Sequence, residues 1–149
     1  MIKQKSGKII NFSGGGATSA RPHFSAYGAS KTAVVRLTET IAEENKPFNI
    51  QINAIAPGAV NTRMTGEVIS AGKEAGEKGL AEAVKQLETG GTPLEKPANL
   101  AVFLASGESD GITGRLISAV WDDWQVIAKQ TAQSKSGDLY TLRRITPNN

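Results

Sequence analysis

One stretch of the sequence constrains the fold more than any other: a short apolar segment that breaks into glycines and leads into a long helical pattern. Residues 8–13 are apolar enough for a strand buried on both faces, and residues 14–16 are all glycine. Apolar side chains then recur at helical spacing over residues 25–45, until Pro47 stops the helix. A second apolar strand at residues 48–56 completes a strand–helix–strand unit, for which a right-handed parallel crossover is the expected connection.

The predicted helix at residues 25–45 has an apolar side and a charged side. We expect the apolar side to face the core and the charged side to face solvent. The apolar side consists of Ala26, Ala33, Val34, Leu37 and Ile41, and the charged side of Arg36, Glu39, Glu43 and Glu44.

Tyr27 and Lys31 are four residues apart near the start of this helix. Residues at that spacing share a helix face, so the phenol and the ammonium point into the same space. An unperturbed tyrosine with a pKa of ~10 is a poor acid or base at neutral pH. A neighbouring cation favours the phenolate form, which makes general acid/base catalysis more efficient.

The order of these features resembles the short-chain dehydrogenase/reductase family. The features are an apolar strand, a glycine turn, a Tyr-x-x-x-Lys helix, and a second strand that ends in Pro57-Gly58-Ala59-Val60-Asn61-Thr62. The resemblance implies a Rossmann-like α/β fold of three layers, with a parallel sheet between two layers of helices. It is partial and covers the C-terminal β-α-β-α-α-β portion. It also implies an NAD(P)-dependent oxidoreductase that acts on a small carbonyl or alcohol substrate.

The resemblance also implies roles for individual residues. Tyr27 would exchange a proton with the substrate oxygen, and Lys31 would hold the nicotinamide ribose. The loop that follows the second strand would approach the nicotinamide of NAD or NADP, with Gly58 allowing close backbone contact. Its other cofactor-binding candidates are Pro57, Val60 and Thr62.

The sequence departs from the family at the catalytic serine. Gly14 occupies that position, and Ser13 stands one residue earlier at the end of the strand. We take Ser13 as the candidate replacement, although strand side chains alternate faces and Ser13 points elsewhere unless the glycines re-aim the turn. Loss of such a donor typically costs ~10²–10³ in rate. Asn11 is expected to be structural.

The pyrophosphate-binding fingerprint of a Rossmann domain, a strand followed by a Gly-rich turn and a helix, does not occur here. We therefore expect a truncated chain whose Met1 is an internal methionine, and whose first strand has an unpaired apolar edge. The alternative function is a non-catalytic fragment or assembly module that lacks cofactor binding. By the resemblance, the helix at residues 25–45 would also pair with a second copy through Gly28, Ala29, Ala33 and Ala42, giving a homo-oligomer.

The remainder of the chain gives weaker signals. Residues 67–88 are rich in glycine and charge, and we expect a mobile helical lid there. A helix is expected at residues 98–105 with Pro97 in its first turn, and a final strand at residues 115–121. Trp121 and Trp124 suit either a substrate pocket, an oligomer contact or the core, and the sequence does not choose among them.

Composition excludes several classes of function. The chain has no cysteine and one histidine, His23, which we expect in a solvated loop; disulfides, thiol catalysis and a histidine-rich metal site are therefore excluded, and no metal is expected. We expect no membrane span, no secretory signal and a cytoplasmic location. Residues 1–124 carry 13 Lys and Arg against 13 Asp and Glu, so the excess charge lies in residues 125–149. We expect a family domain at 1–124 and a basic, flexible tail at 125–149, with no nucleic-acid partner.

Overall fold

The structure, a computed structural model, describes residues 1–133 and 137–146. These residues include three strands: β1 (Gly7–Phe12), β2 (Ile50–Ala56) and β3 (Leu116–Ser118). The helices are α1 (Ser25–Asn45), α2 (Arg63–Ala71), α3 (Glu77–Thr89), α4 (Glu95–Ala105) and α5 (Ile127–Gln133). Within the described residues, no helix is long and apolar enough to cross a membrane.

The three strands form one parallel sheet in the order β1-β2-β3. In this sheet Gly7 pairs with Ile50 at one end of β1 and Phe12 with Ile55 at the other. The central strand is the most deeply buried, as expected where helices cover both faces of a parallel sheet. The predicted strand–helix–strand unit with parallel strands is therefore confirmed.

Helices cover the two faces of the sheet and give the three layers of a Rossmann-like α/β fold. On one face, Ala42 of α1 packs against Ile50 and Ile52. On the other face, a larger apolar cluster joins β2, β3, α4 and the first residue of α5. Each fully buried aliphatic side chain in these layers stabilises the fold by about 1.5–3 kcal/mol. The larger cluster consists of Ile55, Leu100, Phe103, Leu104, Ile112, Ile117, Ala119 and Ile127.

The local signals place most element boundaries correctly. α1 spans the predicted residues and is followed by a short turn around Pro47, after which Asn49 adopts a left-handed conformation. The predicted lid is helical, but it divides into α2 and α3 because the backbone turns at Gly72–Ala75 and Gly76 has a φ of 76°. α4 begins at Glu95, which puts Pro97 in its first turn as predicted.

The predicted orientation of α1 is confirmed only in part: Ile41 packs against the core and Arg36, Glu43 and Glu44 are exposed, but Leu37 and Glu39 are interchanged. Its buried residues are Val35, Thr38, Glu39 and Ala42, whereas Leu37 is 56% exposed. Glu39 is only 6% exposed because its carboxylate accepts hydrogen bonds from residues of the C-terminal segment. Ala26 and Ala33 are exposed with Leu37, so three of the five residues of the predicted core side face outward.

The last strand and the residues after it also differ from expectation. The predicted strand at residues 115–121 is confined to Leu116–Ser118, because the Asp122 carboxylate and the Ser118 hydroxyl accept backbone hydrogen bonds that turn the chain. Residues 125–149 showed no periodicity in the sequence, yet α5 forms there. The segment 137–146 packs on the body, where the Tyr140 carbonyl accepts a hydrogen bond from the backbone N–H of Leu116 at 2.8 Å. The flexibility expected of the tail concerns residues 134–136 and 147–149 as well, which lie outside the described residues.

Candidate active site

The candidate residues lie at the carboxyl ends of β1 and β2. In a parallel sheet these ends meet at one edge, where α/β proteins usually bind their ligands. The glycine loop at residues 14–16 follows β1, and the loop at residues 57–62 follows β2. The first turns of α1 then bring Tyr27 and Lys31 to the glycine loop.

Tyr27 and Lys31 lie on one face of α1, as their spacing predicts. The Lys31 Nζ atom is 5.8 Å from the centre of the Tyr27 ring. It also donates a hydrogen bond to the Phe12 carbonyl oxygen, at 3.3 Å. Both side chains are half-buried, so a small molecule has access to them.

The Tyr27 side chain rests on the glycine loop. A Cβ atom built on Gly14 would collide with the Tyr27 hydroxyl, and one built on Gly16 would lie 3.0 Å from the edge of the Tyr27 ring. Gly14 itself is extended, with a φ of 179°, so its backbone is open to any residue. A side chain at this position would therefore be restricted by contact with the Tyr27 hydroxyl and not by the backbone conformation.

The Ser13 side chain is buried and has a hydrogen-bond partner on α1. Its hydroxyl donates a hydrogen bond to the Lys31 carbonyl oxygen at 2.9 Å, and the residue is 3% exposed. The glycines do not re-aim this side chain, and it follows the alternation of the strand. Ser13 thus ties the end of β1 to the backbone of α1.

Two further side-chain contacts hold α1 against β1 and its loop. The Asn11 side-chain amide donates a hydrogen bond to the Thr38 hydroxyl at 2.9 Å, in keeping with the structural role expected of Asn11. The Thr32 hydroxyl donates to the Ala17 carbonyl oxygen at 3.3 Å. With Ser13, these contacts fix the position along the strand at which α1 presents Tyr27 and Lys31.

The loop after β2 is held by α3 and by the residues that precede α4. Gly58 has a φ of 86°, and a Cβ there would lie 2.6 Å from the Val120 side chain and 2.7 Å from the Thr92 hydroxyl. The Thr92 N–H donates to the Ala59 carbonyl oxygen at 2.9 Å. Of the other cofactor candidates, Pro57 and Val60 are half-buried, whereas Thr62 is exposed and is the N-cap residue of α2.

A contact between the loop before α1 and the lid was missed by the sequence reasoning. The His23 ring packs on Gly76, the N-cap residue of α3, and the Phe24 ring packs on Gly79. Arg21 stacks over Phe24 and pairs with Glu82 of α3 at 2.9 Å. By local propensity alone, Gly76 and Gly79 only weaken a helix. Their second effect, room for two aromatic rings, depends on contacts that the local sequence does not encode.

The two tryptophans have different environments. Trp124 packs against Phe103, with ring centres 4.9 Å apart, and so extends the apolar cluster under α4. Trp121 is 85% exposed. One of the sequence alternatives, core packing, therefore applies to Trp124 alone.

A second charged cluster lies away from the candidate site, between α1 and the C-terminal segment. The Glu39 carboxylate accepts hydrogen bonds from Arg36 at 2.5 Å, from Arg143 at 3.0 Å and from the Leu142 N–H at 2.7 Å. A hydrogen bond from Arg143 to Asp138 raises the pKa of the Arg143 guanidinium above its ordinary value. Burial, with the nearby charge of Arg143, lowers the pKa of Arg115.

Comparison with known proteins identifies the family. The family model described as enoyl-(acyl carrier protein) reductase matches residues 1–119. The chain is 38% identical over 119 residues to the 3-oxoacyl-[acyl-carrier-protein] reductase FabG of Thermotoga maritima, a match covering 78% of this chain and 45% of that protein.

Solved structures show the same likeness in three dimensions. NAD⁺-bound xylitol dehydrogenase superposes with a TM-score of 0.67 at 27% identity, over 79% of this chain and 49% of that one. A gluconate 5-dehydrogenase from Burkholderia cenocepacia, in complex with NADP and tartrate, gives a TM-score of 0.63 at 28% identity, over 78% of this chain and 44% of that one. The chain spans less than half the length of the curated relatives it matches. On the family match and these relatives, the chain belongs to the short-chain dehydrogenase/reductase family of NAD(P)-dependent oxidoreductases.

Proposed function

We propose that Tyr27 is the acid/base residue of a carbonyl/alcohol oxidoreductase site and that Lys31 supports it. The supporting observation is the position of the Tyr27 hydroxyl against Gly14 at the carboxyl end of β1, with the Lys31 ammonium one helical turn along. In the direction of reduction, Tyr27 gives its phenolic proton to the carbonyl oxygen as the carbon accepts a hydride. The phenolate that remains regains a proton from solvent.

The cofactor we propose is NAD or NADP, which supplies the hydride when bound. The residues of this chain fit the nicotinamide and ribose end of such a molecule. Lys31 uses one of its three donors on Phe12, which leaves donors for ribose hydroxyls. The loop with Pro57, Gly58, Val60 and Thr62 lies at the same edge of the sheet. The pyrophosphate end has no counterpart, because the Gly-rich strand–turn–helix fingerprint is absent from the 149 residues.

The position of Ser13 bears on how well such a site would work. Its hydroxyl is engaged by the Lys31 carbonyl, so the second donor to the substrate oxygen must come from elsewhere. Water or another hydroxyl, such as that of the exposed Thr18, are the sources we propose. A site that relies on a less well placed donor would be slower by about 10²–10³.

A second candidate function is a non-catalytic fragment or assembly module. It is favoured by the large apolar side chains that remain exposed among the described residues, such as Leu37, Val102 and Trp121. We also propose homo-oligomerisation. The exposed side of α1 carries Ala29, Ala33 and Leu37, a surface that suits close helix pairing. Ala42, also expected in this contact, is buried in the core.

Titration with NADH and NADPH separates the two functions. Cofactor fluorescence and quenching of the two tryptophans report binding, and the Tyr27→Phe variant is the matched control for chemistry. Saturable binding within the usual range of about 1 μM to 1 mM, with turnover reduced by about 10² or more in Tyr27→Phe, supports the oxidoreductase. Absence of binding throughout that range rejects a working cofactor site in this chain and supports the assembly module.

A further inference from the structure

We propose that helix α3 couples the loop that leads to Tyr27 with the loop proposed to hold the cofactor, and that Glu82 and Gln86 are positioning residues of the site. The first loop comprises residues 18–24, before α1, and the second comprises residues 57–62, after β2. The catalytic meaning of this inference rests on the proposed function. The coupling itself is a property of the chain without any ligand.

One part of α3 contacts the loop before α1. The Arg21 guanidinium pairs with the Glu82 carboxylate at 2.9 Å and stacks over the Phe24 ring, 4.6 Å from its centre. A Cβ built on Gly79 would lie 2.7 Å from that ring, so the ring rests directly on the helix backbone. The position of α3 and the position of Phe24 therefore depend on each other.

Phe24 is also the residue from which α1 begins. It is the N-cap residue of α1, and its carbonyl oxygen accepts a hydrogen bond from the Gly28 N–H at 2.8 Å. Tyr27 lies within the helical turn that this hydrogen bond closes. A shift of Phe24 therefore moves the turn that carries the proposed acid/base residue.

A second part of α3 contacts the loop after β2. The Gln86 side-chain amide donates to the Asn61 side-chain oxygen at 3.1 Å and to the Thr65 hydroxyl at 3.2 Å. The Thr65 hydroxyl also accepts from the N–H of Thr62, one of the cofactor candidates, at 3.3 Å. A displacement of Gln86 therefore changes the position of this loop.

The contacts to both loops lie on one face of α3. Gly79, Glu82 and Gln86 are separated by three and four positions, the spacing at which residues of a helix share a face. The helix packs mainly against α2 and the turn at Gly72–Ala75, and its buried residues are Gly79 and Ala83. Its contacts with the two loops are therefore a large part of what holds it in place.

The chain turns sharply on both sides of α3. Gly76, its N-cap residue, and Gly90, its C-cap residue, have φ values of 76° and 81°, in the left-handed region that favours glycine. These turns separate α3 from α2 and from α4. The helix is thus able to shift as one unit and carry a displacement from one loop to the other.

Order in one loop then favours order in the other. A cofactor that binds the loop after β2 would stabilise the position of Gln86, and α3 would transmit this to Phe24 and the first turn of α1. By linkage, a substrate that contacts the loop before α1 would raise the affinity for the cofactor by the same factor.

The test measures residue-resolved amide exchange of the ¹⁵N-labelled chain without ligand. The Thr92 N–H, which donates to the Ala59 carbonyl oxygen at 2.9 Å, reports on the loop after β2. The Gly28 N–H reports on the first turn of α1. The Ala54 N–H, which donates to the Arg115 carbonyl oxygen in the sheet at 2.8 Å, reports on global stability.

Arg21→Gln perturbs one loop, and exchange is read at the other. The substitution removes the ion pair with Glu82 and the stacking on the ring of the same loop. It should speed exchange at Thr92 about two- to fivefold, the range for an exposed ion pair with a cation–π contact. In a Gln86→Ala background, where α3 has lost its side-chain contact with the loop after β2, Arg21→Gln should no longer change exchange at Thr92.

The reverse perturbation and a charge control complete the set. Asn61→Ala should speed exchange at Gly28, because coupling between two sites is reciprocal. Lys78→Gln removes another charge beside Glu82, at 4.0 Å, but Lys78 belongs to α3 and its side chain is 87% exposed. This variant should leave exchange at Thr92 unchanged.

NADH, added over about 1 μM to 1 mM, separates this inference from the proposed function. At saturation it should slow exchange at Gly28 in the wild type and not in Gln86→Ala. Absence of NADH binding rejects the proposed cofactor site, and the ligand-free measurements then decide the coupling by themselves.

Four results would overturn the inference. Exchange at Thr92 that is unchanged in Arg21→Gln, or changed equally in Lys78→Gln, would show that no displacement reaches the loop after β2. Acceleration at Ala54 as large as at Thr92 would show a general loss of stability. An effect of Arg21→Gln that persists undiminished in Gln86→Ala would exclude Gln86 from the route.

Discussion

The Tyr27 hydroxyl occupies the space that a side chain on residue 14 would need, so the position of Tyr27 depends on the absence of a side chain at Gly14. By the family resemblance, this glycine is expected at the position of the catalytic serine, and its backbone is extended. Any larger residue must therefore displace the hydroxyl proposed to handle the proton. With glycine at residue 14, the Tyr27 hydroxyl lies against the end of the strand, and residue 14 has no hydroxyl to donate to a substrate.

Gly14→Ala should destabilise the chain through this contact. We expect a loss of about 1–3 kcal/mol in the free energy of unfolding, the usual cost of overpacking, measured by urea denaturation. In a Tyr27→Phe background the cost should shrink, since phenylalanine lacks the hydroxyl that the new Cβ would strike. Gly15→Ala is the control, because a Cβ there meets no atom within 4 Å. Equal costs at positions 14 and 15 would contradict the contact.

Ser13→Ala should affect stability rather than ligand binding. The substitution removes the hydrogen bond to the Lys31 carbonyl, which we expect to cost about 0.5–1.5 kcal/mol of unfolding free energy. Ser19→Ala, at an exposed loop position, is the matched control and should be near neutral. A Ser13→Ala variant of unchanged stability that loses turnover would instead assign Ser13 as the missing donor.

Glu39→Gln should loosen the C-terminal segment. The buried carboxylate accepts from Arg36, Arg143 and the Leu142 N–H, and charged hydrogen bonds of this kind contribute about 1.5–3 kcal/mol. Because both arginines are partly exposed, we expect a smaller loss, about 1–2 kcal/mol, together with faster proteolysis within residues 137–146.

Glu43→Gln provides the comparison for Glu39→Gln. Glu43 pairs with Lys46 on the exposed surface of α1, where an ion pair contributes little. We expect the proteolysis rate of this variant to match that of the wild type. Equal proteolysis of the Glu39 and Glu43 variants would show that Glu39 does not hold the segment.

The free energy of unfolding should depend on pH through Tyr140, and the direction of the pKa shift sets the sign of that dependence. Burial, with the charges of Asp122 and Asp123, raises the pKa of Tyr140 above its ordinary value of 10.0. The folded state therefore holds this proton more tightly than the unfolded state. The resulting stabilisation is complete below pH 10 and declines as the pH rises through the folded-state pKa.

The Tyr27→Phe variant isolates this titration, because the chain has only two tyrosines. Absorbance at the phenolate band should give a midpoint above the ordinary tyrosine value in the folded chain and at that value in urea. A folded-state midpoint at or below the unfolded one would contradict the placement of Tyr140 against α5 and near Asp122 and Asp123.

The sequence alone determined the features that depend on neighbours along the chain. Strand β1, helix α1 with its stop at Pro47, and the shared face of Tyr27 and Lys31 follow from periodicity and from backbone chemistry within a few residues. The sequence also showed that Gly14 departs from the pattern of the family that the chain resembles. These features are local, so local rules suffice.

Only the tertiary structure decided which partners distant residues would find. The sequence predicts that Glu39 lies on the surface. In the structure it is covered by Arg143, which lies more than a hundred positions later in the chain. The Ser13 hydroxyl donates to the Lys31 carbonyl of α1, and the Leu116 N–H of β3 donates to the Tyr140 carbonyl. The sequence near these residues predicts neither hydrogen bond. The physical reason is that burial and hydrogen-bond pairing are decided by segments that the fold brings together, and short-range periodicity carries no information about them.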